Sequence, residues 1–265
     1  MLGGTVKRVL VANDDGIFAP GIRILKEELA KNFDVYTIAP DRERSASGYS
    51  ISLDNPIRVK EIEEGRTFAI DGTPVDAVYI ALHGAMKADI DIVVSGINKG
   101  LNVGTDVFYS GTVSSAFQAV LFNKPGIAVS IDIAGKDIHY ETAAMIASRL
   151  LENIDDILTE PGIVLNVNVP NVSIGEIKGI DVTTLGRRIY RDRIIERVDP
   201  KNNKYYWIDG IHVKDVYREG TDVTSILNKR VSLTPLRLDI TDYNYVNKMR
   251  QKNYDKIIEN ILSKI

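Results

Sequence analysis

Val6 to Ala12 is a short, mostly apolar run that stops abruptly at Asn13-Asp14-Asp15-Gly16. A run buried on both faces and closed by a turn suits a central strand of a parallel sheet. The next residues agree with that placement. Pro20 sits where a first helical turn tolerates it, and Ile22, Leu25 and Leu29 follow at helical period. Asp34 to Ala39 is then a second strand, closed by Pro40. Such a β-α-β unit requires a right-handed crossover, which puts both strand C-termini on one edge.

The alternation continues along the chain. Two short strands are expected at Ile57–Val59 and Thr67–Ile70, and Gly72-Thr73-Pro74 opens a helix through Val75, Val78 and Leu82. Asp91 to Ser95 reads as a buried strand, followed by a glycine-rich stretch from Gly96 to Gly111. Thr112 to Leu121 is a helix, Gly126 to Ile131 a strand, Ile138 to Ile154 a longer helix, and Val164 to Val169 a strand. The fold class is therefore α/β, a Rossmann-like, doubly wound and mostly parallel sheet. Residues 1–170 are expected to form this Rossmann-like core.

After Pro170 the pattern changes. Ile189–Val198 and Lys204–Ile208 flank Asp199-Pro200-Lys201-Asn202-Asn203 as a long hairpin with a polar tip. A short helix, a strand at Arg230–Pro235 and a C-terminal helix from Tyr243 complete residues 171–265. Tyr190, Tyr205, Tyr206 and Trp207 make the hairpin a natural oligomerisation device, unless they cover the domain's own sheet.

Composition narrows the classes. The net charge is -3, so nothing in the overall balance suggests a nucleic-acid polymer or a membrane as partner. There is no cysteine, which removes disulfides, thiolate nucleophiles and zinc–thiolate sites and fits a cytoplasmic protein. No signal-peptide core precedes the first strand, and no apolar run approaches the ~20 residues of a membrane span. The chain is read as soluble and unprocessed.

Ligands of open α/β sheets bind outside the carboxyl ends of the strands. The first strand delivers Asn13, Asp14, Asp15 and Gly16 there; the second leads into the serine-rich segment Asp41–Asp54; the Asp91–Ser95 strand leads into Gly96-Ile97-Asn98-Lys99-Gly100. Two adjacent carboxylates in one confined place repel unless a cation neutralises them, and a hard, oxygen-ligated divalent ion is the simplest remedy. Asn98 and a hydroxyl from the serine-rich loop could complete its shell. The competing reading makes Asp14 and Asp15 helix caps and Asn98 a turn residue. Further on, Ser110-Gly111-Thr112-Val113-Ser114 runs straight into a helix, where free N–H groups and the dipole favour a phosphate, unless the serine is an ordinary N-cap. There is no P-loop motif, no G-x-G-x-x-G after the first strand and no G-x-S-x-G elbow. His83, His139 and His212 show no ligand spacing, and His83 reads as structural.

These motifs together resemble one family. Val11-Ala12-Asn13-Asp14-Asp15-Gly16, Ala39-Pro40-Asp41-Arg42-Glu43-Arg44-Ser45-Ala46-Ser47-Gly48, Gly72-Thr73-Pro74-Val75-Asp76, Val94-Ser95-Gly96-Ile97-Asn98-Lys99-Gly100, Ser110-Gly111-Thr112-Val113-Ser114 and Thr234-Pro235-Leu236 resemble the SurE (survival protein E) nucleotidases in order and spacing. The resemblance implies a cytoplasmic 5′- (and often 3′-) nucleotidase with one divalent cation per subunit, magnesium or manganese. It implies the metal ligands Asp14, Asp15, Ser45 and Asn98. It also implies homodimers or homotetramers with an exchanged C-terminal element.

The expected mechanism is metal-assisted attack of water on a nucleoside monophosphate. Asp14 is the base or water positioner, and Asp15 mainly a ligand. Asn13, Gly16, Asn102, Ser110, Gly111, Thr112 and Ser114 are the candidate phosphate and substrate contacts. Two rivals use the same acidic turn. An aspartyl-phosphate phosphatase would space its two aspartates by one residue, whereas here they are adjacent. A non-catalytic receiver-like module would need a phosphoacceptor aspartate after its third strand, where this chain has Ser-Gly-Ile-Asn.

Overall fold

The computed structural model describes residues 6–263, and within them the side chains of Ala85, Asp192, residues 210–213 and Asn260 lie outside the description. The first strand, β1 (Arg8–Ala12), alternates faces as period-two geometry demands. Val9 and Val11 join one apolar cluster, while Leu10 and Ala12 join another on the opposite face. The first cluster is closed by Ile22, Leu25 and Leu29 of α1 (Pro20–Leu29) and by Ala143, Ala147 and Leu151 of α4 (Tyr140–Glu152). The second face is covered by α2 (Pro74–Ile80) and α3 (Gly111–Leu121).

The strands β2 (Asp34–Pro40), β3 (Val59–Glu63), β4 (Thr67–Ile70), β5 (Ile92–Lys99), β6 (Gly126–Ile131), β7 (Ile163–Val169), β8 (Ile180–Val182) and β11 (Val231–Arg237) join β1 in one nine-stranded sheet of order β3-β4-β2-β1-β5-β6-β7-β11-β8. From β1 the chain winds outward through β2 and β4, then returns to pair β5 on the other side. The sequence order reverses between β1 and β5, which is where doubly wound sheets open a crevice. β11 runs antiparallel to β7, so two strands from beyond residue 170 extend the same sheet with reversed direction.

A separate two-stranded ribbon, β9 (Arg187–Val198) with β10 (Lys204–Val216), stands apart. Its turn at Asp199–Asn203 is braced by the Asp199 carboxylate, which accepts from the Lys201 and Asn203 amides at 2.8 Å each. Tyr190, Tyr205, Tyr206, Trp207 and Ile208 are all exposed, so they do not cover the chain's own sheet. Beyond α5 (Ile154–Ile157) and α6 (Asp222–Leu227), the tail consists of α7 (Tyr243–Arg250) and α8 (Asp255–Leu262).

Several boundaries differ from the sequence expectation. The strand expected at Ile57–Val59 lies at Val59–Glu63; every residue in it is exposed at the sheet edge, so no apolar period marks it. The Asp91–Ser95 strand continues to Lys99, because Asn98 and Lys99 resume pairing with Ser130 and Ile131 after an irregularity at the glycine. The long helix expected from Ile138 to Ile154 breaks at Asn153, whose amide side chain caps Arg149 O at 2.8 Å. The hairpin arms are longer than expected, and the single tail helix is two. His83 stacks on Tyr79 with ring centroids 4.3 Å apart, as a structural residue would. Among the described residues no helix is long and apolar enough to cross a membrane.

Candidate active site at the β1–β5 crevice

β1 ends in a turn that is closed from within. Asn13 is fully buried; its side chain accepts from the Gly16 amide at 3.1 Å and donates to the Gly16 carbonyl at 3.0 Å. Both candidates are thus spent on bracing the turn, and the turn aims the two residues between them. Asp14 is 3% exposed and carries no salt bridge among the described residues. Burial pushes its carboxyl up to about 6, opposed by the Thr112 hydroxyl, which donates to Oδ1, and reinforced by the negative charge of Asp15. The Asp15 carboxyl is also raised by burial, although the Lys99 amide donates to it at 3.0 Å; Glu43 adds repulsion.

The start of α3 closes against Asp14. A methyl on Gly111 would lie 2.9 Å from Asp14 Cβ and 3.0 Å from Oδ2, so only glycine permits this approach. Ser110 is the N-cap, accepting from the Val113 amide at 3.0 Å, and the Ser114 hydroxyl donates to the Ser110 carbonyl at 2.7 Å. The cap reading of Ser110 and the phosphate reading of the helix start therefore coexist. The serine satisfies Val113, while the Gly111 amide meets no acceptor among the described residues.

The other candidates vary in how they reach this point. Asn98 is half-buried at the end of β5, next to the residue whose amide holds Asp15, and its amide group donates to the Gly100 carbonyl at 2.8 Å. Ser45 is exposed and its hydroxyl donates to Glu43 at 2.8 Å. Its loop is tied to the site by the neighbouring Arg44 amide, which donates to the Asp14 carbonyl at 2.7 Å. Asn102 is buried in a network of its own. Its side chain donates to Ser130 Oγ at 2.8 Å, its amide to Asn168 at 2.9 Å, and its carbonyl accepts from Asn166 and Asn168. Lys99 and Glu43 are not among the site residues expected from sequence; Lys99 acts on Asp15 through its amide and its charge, and the amide leaves no mark on residue type.

Among the described residues no three His, Asp or Glu side chains gather at metal-binding spacing. A cation here must draw on two carboxylates and neutral oxygens. The site has that chemistry: a buried Asp14 with no salt bridge among the described residues beside a partly buried Asp15 opposed by the Lys99 charge, with the hydroxyl of Ser45 in the loop after β2 and the amide oxygen of Asn98 near the end of β5. It fits a hard divalent ion.

The family model described as "Survival protein SurE" matches residues 9–192. A 5′-nucleotidase SurE of Geobacter metallireducens is 43% identical over 236 residues, 89% of this chain and 93% of its own length. Its namesake in Carboxydothermus hydrogenoformans is 41% identical over 263 residues, covering 97% and 99%. The crystal structure of the SurE protein from Aquifex aeolicus superposes with a TM-score of 0.79 at 36% identity, covering 92% of this chain and 98% of that one. Sequence and structure are similar across almost the full length, and the chain belongs to the SurE family.

Proposed function

We propose that this chain hydrolyses nucleoside 5′-monophosphates to nucleoside and phosphate, with one divalent cation held by Asp14, Asp15, Ser45 and Asn98. The observation that carries the reading is the adjacent aspartate pair, with Asp14 buried and without a salt bridge against the open start of α3. The relatives' name, 5′-nucleotidase, supports the substrate class. A divalent cation, magnesium or manganese, supplies positive charge against the aspartates, the phosphate oxygens and the attacking water.

The chain's own residues do the rest. The Gly111 amide and the dipole of α3 take a phosphate oxygen. Asp14 orients the water in line with the leaving ribose oxygen and accepts its proton, its free oxygen directed by the Thr112 hydroxyl on the other. Asp15, fixed by the Lys99 amide, serves as ligand.

Self-association into homodimers or homotetramers belongs to the same reading. It is supported by the exposed aromatics of the hairpin and by Ile257, Ile258, Ile261 and Leu262, all exposed on α8. An apolar groove of about 730 Å³ beside α3, walled by Tyr49, Phe108, Phe117, Leu185 and Leu236, offers a place for such a face.

The test is phosphate release from a panel of 5′- and 3′-mononucleotides, with chelator and with each of several divalent ions. Asp14→Asn should lower turnover by about 10²–10⁴-fold while the protein stays folded. Near-normal activity of that variant with cation present would refute Asp14's role; no release from any mononucleotide would refute the substrate class.

A further inference from the structure

The two walls of the site are joined by residues 100–110, a loop with one short 3-10 turn at Gly104–Phe108. A fully buried carboxylate from far along the chain holds this loop. Asp222, the first residue of α6, has one oxygen accepting from the Gly104 amide at 2.9 Å. Its other oxygen accepts from the Gly186 amide at 2.6 Å and from Val223 at 2.7 Å. Gly186 immediately precedes β9, so one carboxylate grips both the active-site loop and the root of the hairpin.

The three segments meet without room for side chains. Gly104 is at φ +55, and a methyl there would lie 2.8 Å from the Gly186 carbonyl oxygen; a methyl on Gly186 would lie 2.7 Å from Asp222 Oδ1. A second tie sits two residues on, where Arg188 and Tyr190 of β9 reach Asp106 at 3.2 and 2.6 Å. The N-cap of α6 is Thr221, and a first-turn aspartate needs only local amides; the bonds to Gly104 and Gly186 exceed that need. Burying a carboxylate is unfavourable unless hydrogen bonds compensate, so the arrangement selects one loop position.

We infer that Asp222 is a positioning residue of the hydrolytic site, its carboxylate fixing loop 100–110 and hence where the start of α3 meets the phosphate. The inference rests on the phosphatase reading for its kinetic test, but not for its binding test. Asp222→Asn keeps the volume and turns one acceptor oxygen into an NH₂ that faces an amide N–H, so one of the two long-range bonds becomes a clash of donors. Inorganic phosphate should then bind the manganese-loaded protein about tenfold more weakly by calorimetry, and KM for a mononucleotide should rise in parallel.

Asp181→Asn is the stability control. It replaces one of the two oxygens that accept from Ser225 of α6 and from Arg230 just beyond it, removes the charge that pairs with Arg230, and should lower Tm without changing phosphate affinity. If Asp222→Asn does not fold, Gly104→Ala, which forces the loop off Gly186, should weaken phosphate binding in the same way. Unchanged phosphate affinity and KM in whichever of the two variants folds, with only a lowered Tm, would overturn the inference. If phosphate binding weakens as expected in a protein that releases phosphate from no mononucleotide, the positioning role stands and the nucleotidase reading falls.

Discussion

Thr112 is fully buried, and its hydroxyl is the largest influence holding the Asp14 carboxyl down against burial. Thr112→Val keeps nearly the same volume and deletes that donor. A hydrogen bond to a charged group contributes about 1.5–3 kcal/mol. At about 1.36 kcal/mol per pH unit, its loss moves the Asp14 midpoint from about 6 to between about 7 and about 8. The neutral acid cannot ligate a cation without first losing its proton. In the parent protein, manganese affinity should therefore fall by about tenfold per pH unit below the midpoint and level off above it. In the variant the break should lie about one to two pH units higher, with the two curves converging near pH 8.5. Calorimetric titration with manganese from pH 5 to 8.5 reads both curves. A parent curve without a break, or a variant whose break does not move, would refute the assignment of this hydrogen bond and of Asp14 as a ligand.

Other expectations follow from the same geometry. Gly111→Ala puts a methyl 2.9 Å from Asp14 Cβ; it should cost about 1–3 kcal/mol of stability and remove nearly all phosphate release, as melting and a release assay would show. In chelator, the Asp14 carboxyl stays protonated in the folded chain up to about 6 while the unfolded chain ionises near 3.8. Stability from this group is thus present below about pH 4 and is lost by about 3 kcal/mol as pH rises through 6. Asp15 and Asp222 act with the same sign. Melting temperature without cation should fall from pH 5 to 7, and saturating manganese should restore it; a flat profile would count against the buried charge. Ile258→Asp, on the exposed face of α8, should lower the assembly mass measured by light scattering, whereas an unchanged mass would remove α8 from the interface.

Much of this was legible in the sequence because of its periodicities. The β1 run and the helical spacing of Ile22, Leu25 and Leu29 encode a strand buried on both faces under α1. The acidic turn and the Gly111 helix start are visible as residue types, since a carboxylate pair and a glycine are chemically distinctive. What stayed hidden depends on backbone or on distance. The Lys99 amide holds Asp15 whatever its side chain, and the β3 edge strand has no buried face to create a pattern. The second use of Asn13, as a brace on Gly16, and the embedding of Asn102 among Ser130, Asn166 and Asn168 require knowing which strand ends are neighbours. Asp222 lies 118 residues from Gly104, beyond any local spacing rule.

The reversed direction of β11 separates two kinds of outgrowth. Because it runs against β7, its last residue, Arg237, pairs with Ile163 at the amino edge of the sheet, and α7 and α8 depart from there. The hairpin, in contrast, is rooted against Asp106 and Gly104 beside the carboxyl-edge loops. Tail and hairpin are thus insulated to different degrees from catalysis. The tail leaves from the edge opposite the reaction and reaches it only by way of a partner's surface, while any change at the root of the hairpin is transmitted to the reaction directly. Lineages that diversify their assembly should vary freely in the first and sparingly in the second.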